Sequence, residues 1–285
     1  MTELIDRHLA ATRAAGLTPK TRAAREELLR RLDRELPRGI EEANEEELTE
    51  WLGRDGWATK TRETYWCHLV AFYRWASSGR SPVLDFDPSA DMPRPRVGWH
   101  LPRVATDAQL AHALTALARP ALRAVILAAG LGMRASEVAD AEREHITQER
   151  ARILGKGDKG RAVPVPPDVW AEVADCAPGR LVTNYQGFPV NGSWVTNYLS
   201  RALTAIGEPR LTLHYFRGAY ATRLRRAGVD TAVIARLLGH TSVATTQRYL
   251  DIGEADLALA VAKLPPLPLQ LEPGTSRLEP TAEAA

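Results

Sequence analysis

Apolar positions recur at helical spacing through residues 1–90. Leu28, Leu29 and Leu32 mark one stripe; Tyr65, Leu69, Phe72, Tyr73 and Ala76 mark another. Trp66 and Trp75 join the second segment, and packing between helices accounts for these aromatics. The pattern predicts a helical N-terminal domain over residues 1–90. Residues 85–103 break it with four prolines. Proline removes a backbone donor and biases its neighbours to extended conformations, so residues 91–104 read as an interdomain linker. Helical periodicity returns after Thr106, whose spacing to Gln109 is that of a capping box. Helices are expected through residue 118 and over 120–129, 168–176, 191–207, 212–227, 231–238 and 243–250. A last helix over 254–264 places Leu257, Val261 and Leu264 on one face.

Short extended runs stand at 145–147, 151–154 and 161–165. The connection GKGDKG, residues 155–160, makes the last two a hairpin with a flexible basic tip. Pro265 and Pro266 end the pattern, and residues 266–285 read as a disordered tail. The fold class is therefore mainly α with a small β-hairpin or sheet: a helical N-terminal domain, a linker, and an α+β domain over 105–265.

Composition narrows the classes. With 285 residues and 45% hydrophobic content, the chain has enough core for one large or two medium domains. Cys67 and Cys176 are far apart in sequence and form no metal-ligand cluster, which fits a reducing cytoplasm. Charge from Glu3 onward excludes a signal peptide, and the apolar run at 124–131 is far too short to span a bilayer.

Charge changes the picture more. The whole chain is only +2, yet residues 201–250 hold eight arginines and no lysine against two acids. His214, Arg217, His240 and Tyr249 lie in that basic stretch. Positive charge gathered around His, Arg and Tyr suggests a site that handles phosphate. Elsewhere, Lys20 and Arg22 open one helix, and Lys60 and Arg62 open another behind Thr59 as a candidate cap. Cations are unfavourable at a helix N-terminus unless an anion lies across it, as a DNA backbone would. A solvated basic cap explains the same residues. Arg94, Arg96 and Arg103 give the linker a basic half that could track phosphates, with no acid between Asp91 and Asp107. Six glutamates between positions 41 and 50 read as a solvated loop and helix start facing away from DNA.

Further chemistry precedes the basic stretch. Arg134 follows an apolar helix and a glycine-containing turn, and Glu137 lies three residues on, on the same face. The setting predicts a partly buried pair. Lys156 and Lys159 sit on the Gly-rich hairpin tip, which lacks the spacing of a P-loop.

Taken together, Gly-Met-Arg134-Ala-Ser-Glu, Gly-Lys156-Gly-x-Lys159, His214-x-x-Arg217 and Leu-Leu-Gly-His240 with Tyr249 nine residues on resemble the motifs of the tyrosine recombinase (phage integrase) family. The motif resemblance covers residues 100–265; the N-terminal helices resemble the family's core-binding domain in character. The resemblance implies Tyr249 as nucleophile, Arg134, Lys156, His214, Arg217 and His240 as its catalytic partners, and DNA contacts from Lys20, Arg22, Lys60, Arg62, Arg94, Arg96, Arg103 and Lys159. It also implies a 3′-phosphotyrosine intermediate, a Holliday junction, no cofactor or metal, double-stranded DNA core sites, and a homotetramer on DNA that is a monomer or weak oligomer when free, with no membrane partner. The helices from the first residues on resemble the simpler members, for which no arm-binding domain is expected. One position departs: a His often follows the second Arg in this family, and here it is Gly218. The same nucleophile chemistry would also suit a type IB-like topoisomerase, and Gly218 is the feature that would suit a DNA-binding relative that has lost catalysis.

Overall fold

The computed structural model describes residues 2–79, 82–98, 103–155, 160–239 and 254–267. The chain divides into two compact units, Met1–His100 and Leu101–Ala285.

The first unit is helical: α1 (Thr2–Ala14), α2 (Pro19–Glu35), α3 (Glu45–Gly53) and α4 (Thr59–Ser77). Leu28, Leu29, Leu32, Leu48, Leu69, Phe72 and Tyr73 form its core. Thr18 caps α2, accepting from the Thr21 amide, and Pro19 occupies the first turn. At α4 the expected threonine cap is displaced by one residue. Ala58 is the N-cap and makes no side-chain cap bond, while Thr59 already lies inside the helix. The glutamate-rich stretch resolves as a loop and helix start: Asn44 and Glu47 form a reciprocal capping box that opens α3.

The second unit is organised around α6 (Ala121–Leu131), in which Ala121, Leu122 and every residue from 124 to 131 are buried. A helix apolar on all sides is stable only when covered on all sides. Here α5 (Asp107–Ala116), α7 (Ala135–Ala139), α8 (Pro167–Val173), α9 (Gly192–Ala205) and α10 (Leu213–Arg226) pack against it. Thr106 and Gln109 make the capping box expected at α5. α8 ends sooner than the expected 176, because the Cys176 amide turns back to Val173.

Two strands, β1 (Arg150–Ile153) and β2 (Arg161–Pro164), pair antiparallel with Ile153 opposite Arg161. The extended run expected at 145–147 is a 3₁₀ turn, Arg143–His145, from which only Ile146 reaches a bridge to Ala151. Arg143 causes the difference: its guanidinium donates to the carbonyls of Ala174 and Ile146 and curls the segment. α11 (Thr231–Leu238) and α12 (Glu254–Ala262) complete the unit. Leu257, Ala260, Val261 and Leu267 join the same core as α6, so the apolar face of α12 is covered within its own chain. Among the described residues no helix is long and apolar enough to cross a membrane. The expected helix at 243–250 and the tail from 268 onward lie outside the described residues.

Candidate active site

Two turns converge, where α6 and α11 end, beside the middle of α10. α6 stops at Gly132, in the left-handed region at φ 64°, and α11 stops at Gly239, at φ 65°. A Cβ on Gly132 would lie 2.8 Å from the Tyr220 ring, so the turn needs glycine for space as well as for its backbone. Both turns leave carbonyls aimed at one point, and arginines fill it.

Arg134 is the N-cap of α7. Its backbone N–H donates to Glu137 Oε2 at 2.8 Å, its Nη1 to Glu137 Oε1 at 2.7 Å, and its Nη2 to the Gly239 carbonyl at 3.1 Å. Arg217 comes from α10. It donates through Nη1 to the Gly132 carbonyl and through Nη2 to the Leu238 carbonyl at 2.7 Å, and its Nη1 lies 3.6 Å from Glu137 Oε2. Glu137 is buried beneath both, with its side chain only 4% exposed. Arg134 is 42% exposed, the partly buried state expected from its position.

The electrostatics follow from this crowding. Burial alone would raise the Glu137 carboxyl; hydrogen bonds from Arg161 and from the Arg134 backbone, with the charge of Arg161, more than offset it and hold the group at about 2. Arg217 is pushed down to about 10, by burial first and by the charge of Arg134 second, while Glu137 works the other way. It remains a cation at neutral pH. Burial pushes the Tyr220 phenol up, and its hydroxyl has no hydrogen-bond partner.

Of the remaining expected site residues, His214 lies on α10, one turn before Arg217, and is exposed. Lys156, Lys159, His240 and Tyr249 lie outside the described residues. Arg161 was not among the expected residues and proves central: it reaches Glu137 from β2 with both terminal nitrogens, at 2.8 and 2.9 Å. The signal was in the strand's alternation. Val163 and Val165 face the core, and extending that face by two residues puts Arg161 on it.

The expected DNA-contacting residues divide. Lys20, Arg96 and Arg103 are exposed. Arg22 turns back to the Leu17 carbonyl, and Arg62 to the Arg54 carbonyl. Lys60 and Arg94 both pair with Glu63, at 2.5 and 2.7 Å. The basic half of the linker has no acid of its own, but α4 brings one to it.

The phage integrase family's sequence model matches residues 106–255, more than half of the chain and all of the arginine cluster. The chain belongs to the phage integrase family. Tyrosine recombinase XerC of Corynebacterium glutamicum is 29% identical over 240 residues, 77% of each chain. Membership in the phage integrase family makes the chain a site-specific DNA recombinase of the tyrosine type, an enzyme that cleaves and rejoins strands. Among solved structures, a lambda integrase (75–356) dimer bound to a COC′ core site has a TM-score of 0.69 at 20% identity, over 88% of this chain and 95% of that one. A lambda integrase tetramer bound to a Holliday junction has a TM-score of 0.68 at 17% identity, over 85% of this chain and 77% of that one. At these identities the likeness is one of fold: mostly helical with a small two-stranded antiparallel sheet.

Proposed function

We propose that the chain cuts double-stranded DNA at core-type sites through a 3′-phosphotyrosine bond to Tyr249, and that four copies exchange strands through a Holliday junction. The observation that carries the reading is the meeting of Arg134 and Arg217 over one buried carboxylate. Burying Arg217 beside the guanidinium of Arg134 is unfavourable for the folded chain alone, and the lowering of Arg217 registers the burial first and that repulsion second. The arrangement becomes favourable when a phosphate takes up the excess charge.

A phosphodiester needs a positioned nucleophile, neutralisation of its non-bridging oxygens, and an acid for the leaving oxygen. Arg134 and Arg217 neutralise the oxygens with a forked geometry that lysine cannot match. His214 and His240 hydrogen-bond the phosphate and assist proton transfer. Lys156 protonates the departing 5′ oxygen. A free tyrosine phenol has a pKa of about 10 and is mostly protonated at neutral pH; clustered guanidinium charge favours the phenolate as attack develops. The phosphotyrosyl bond keeps the energy of the bond it replaces, so a 5′-hydroxyl from a second strand reverses the attack and no cofactor enters the cycle. The core-site and junction complexes of lambda integrase, which shares the fold, support extending the same assembly to this chain.

Tyr249→Phe removes one hydroxyl. It is expected to abolish covalent capture of a nicked duplex, read as a detergent-stable complex, while leaving DNA affinity within about threefold because the charged contacts remain. Capture that persists in the Phe variant removes Tyr249 from the role of nucleophile.

A further inference from the structure

The described guanidinium with the most contacts in the site is not one of the two proposed to meet the phosphate. Arg161 Nε donates to the Leu237 carbonyl at 2.8 Å, Nη1 to Glu137 Oε1 at 2.8 Å, and Nη2 to Glu137 Oε2 at 2.9 Å and to the Gly132 carbonyl at 3.4 Å. Its side chain is only 12% exposed. A Cβ on Gly239 would lie 3.1 Å from the Arg161 Cδ, so the turn after α11 closes directly over it. One planar group thus joins β2, α7, the end of α6 and the end of α11.

We infer that Arg161 is a positioning residue for strand cleavage, acting by orienting Arg134 and Arg217 rather than by touching DNA. The inference rests on the strand-cleavage reading above. Four of the five N–H donors of Arg161 already have protein acceptors, and a single remaining N–H on Nη1 offers no fork for a phosphate. Its effect passes through Glu137. That carboxylate gives Oε1 to the Arg134 and Arg161 side chains, and Oε2 to the Arg134 backbone and Arg161. Arg217 approaches the same oxygen and shares the Gly132 carbonyl with Arg161. Without Arg161, Glu137 loses the partner that lowers it most and keeps the bonds from Arg134, so burial raises its carboxyl against weaker opposition. A carboxyl that protonates releases Arg134 from its fixed angle. In sequence, β2 also leads back to Lys156 and α11 leads on to His240, so Arg161 ties down the described ends of both segments.

The test uses the full chain. A pool of nicked duplexes with randomised flanks is exposed to the wild-type protein, detergent-stable complexes are sequenced, and the selected duplex becomes the probe. Wild type, Arg161→Gln and Arg161→Lys are then compared in folded fraction, affinity for the intact probe, and single-turnover rate of covalent capture against pH. Arg161→Gln is expected to bind within about threefold of wild type and to capture about 100-fold more slowly, the scale of a misplaced reacting group. The acid limb of its rate profile moves to higher pH, because Glu137 is held ionised less strongly. Arg161→Lys returns the charge without the fork: it restores the acid limb while recovering only part of the rate. Unchanged capture in Arg161→Gln, or a loss matched by its folded fraction with the acid limb unmoved, overturns the inference in favour of a scaffold role. If Arg161→Gln does not fold, Arg161→Lys decides by the same comparison of rate with folded fraction. Failure of the wild-type protein to capture any duplex takes down the strand-cleavage reading, and this inference with it.

Discussion

Gly218 is the residue at which this chain departs from the family motif, and its surroundings give a structural reason. The Ala105 amide donates to the Tyr215 carbonyl at 3.1 Å, which lays the entry segment of the second unit across α10. A Cβ at 218 would lie 2.7 Å from Val104 Cγ1 and 3.5 Å from Val104 Cβ. Glycine is what lets that segment cross so closely; it is not by itself a mark of lost catalysis. Gly218→Ala should therefore be destabilising in the native chain despite the better helix propensity of alanine. In a Val104→Ala background the clash is gone and the same change should stabilise. Denaturant unfolding of the four chains is expected to give a coupling of about 1–3 kcal/mol between the two sites. A coupling near zero would mean that Val104 does not set the residue at 218. At this scale the sequence is readable where partners are local: Arg134 and Glu137 are three apart, and they pair as the N-cap and third residue of α7. Arg161 lies 24 positions from Glu137, and only the fold brings them together.

At the scale of elements, the pattern of apolar positions located the helices, because each buries a stripe. It erred where a side chain captures the backbone, as Arg143 does at 143–145, and where the N-cap falls one residue before the expected one, as Ala58 does at α4. It also passed over a charged contact that ties three helices of the first unit. His8 of α1 is 2% exposed, with its ring edge-on to Phe72 and Trp75 of α4. Arg25 of α2 donates from Nε to His68 Nδ1 at 3.2 Å, and its Nη1 lies 3.4 Å from His8 Nε2. Burial first, then the charges of Arg25 and His68, push His8 down to about 4. The unfolded chain holds that proton up to about pH 6.5, so between about pH 4 and 6.5 it binds more protons than the folded chain. Stability contributed by neutral His8 is full above pH 6.5 and is lost as the pH falls through that window. Chemical denaturation at pH 7 and pH 5 should show wild type losing about 1–2 kcal/mol more than His8→Gln, which keeps a neutral acceptor without a proton to gain. Equal losses in the two chains would contradict the assignment.

At the scale of the whole molecule, the order of motifs along the chain carried more of the function than any single word. His-x-x-Arg is weak alone; with an Arg–Glu turn before it and a Gly-Lys hairpin between, it points to one chemistry. What the order does not contain is how the cations are held beneath: a third arginine from β2, and, at two left-handed glycine turns, carbonyls that hold Arg134 and Arg217 in place. Those carbonyls are backbone atoms, which every residue has, so no residue type announces them. The apolar face of α12 illustrates the same limit. The spacing puts Leu257 and Val261 on one face without saying what covers it, and packing against α11 and β2 gives both to this chain's core. The most direct measurement of the central claim is the chemical identity of the DNA adduct. After capture on a nicked duplex and proteolysis, mass spectrometry is expected to find one DNA-bearing peptide, with the 3′ phosphate on Tyr249 and a free 5′-hydroxyl on the released strand. A 5′-phosphoryl link, or an adduct on any other residue, would contradict it.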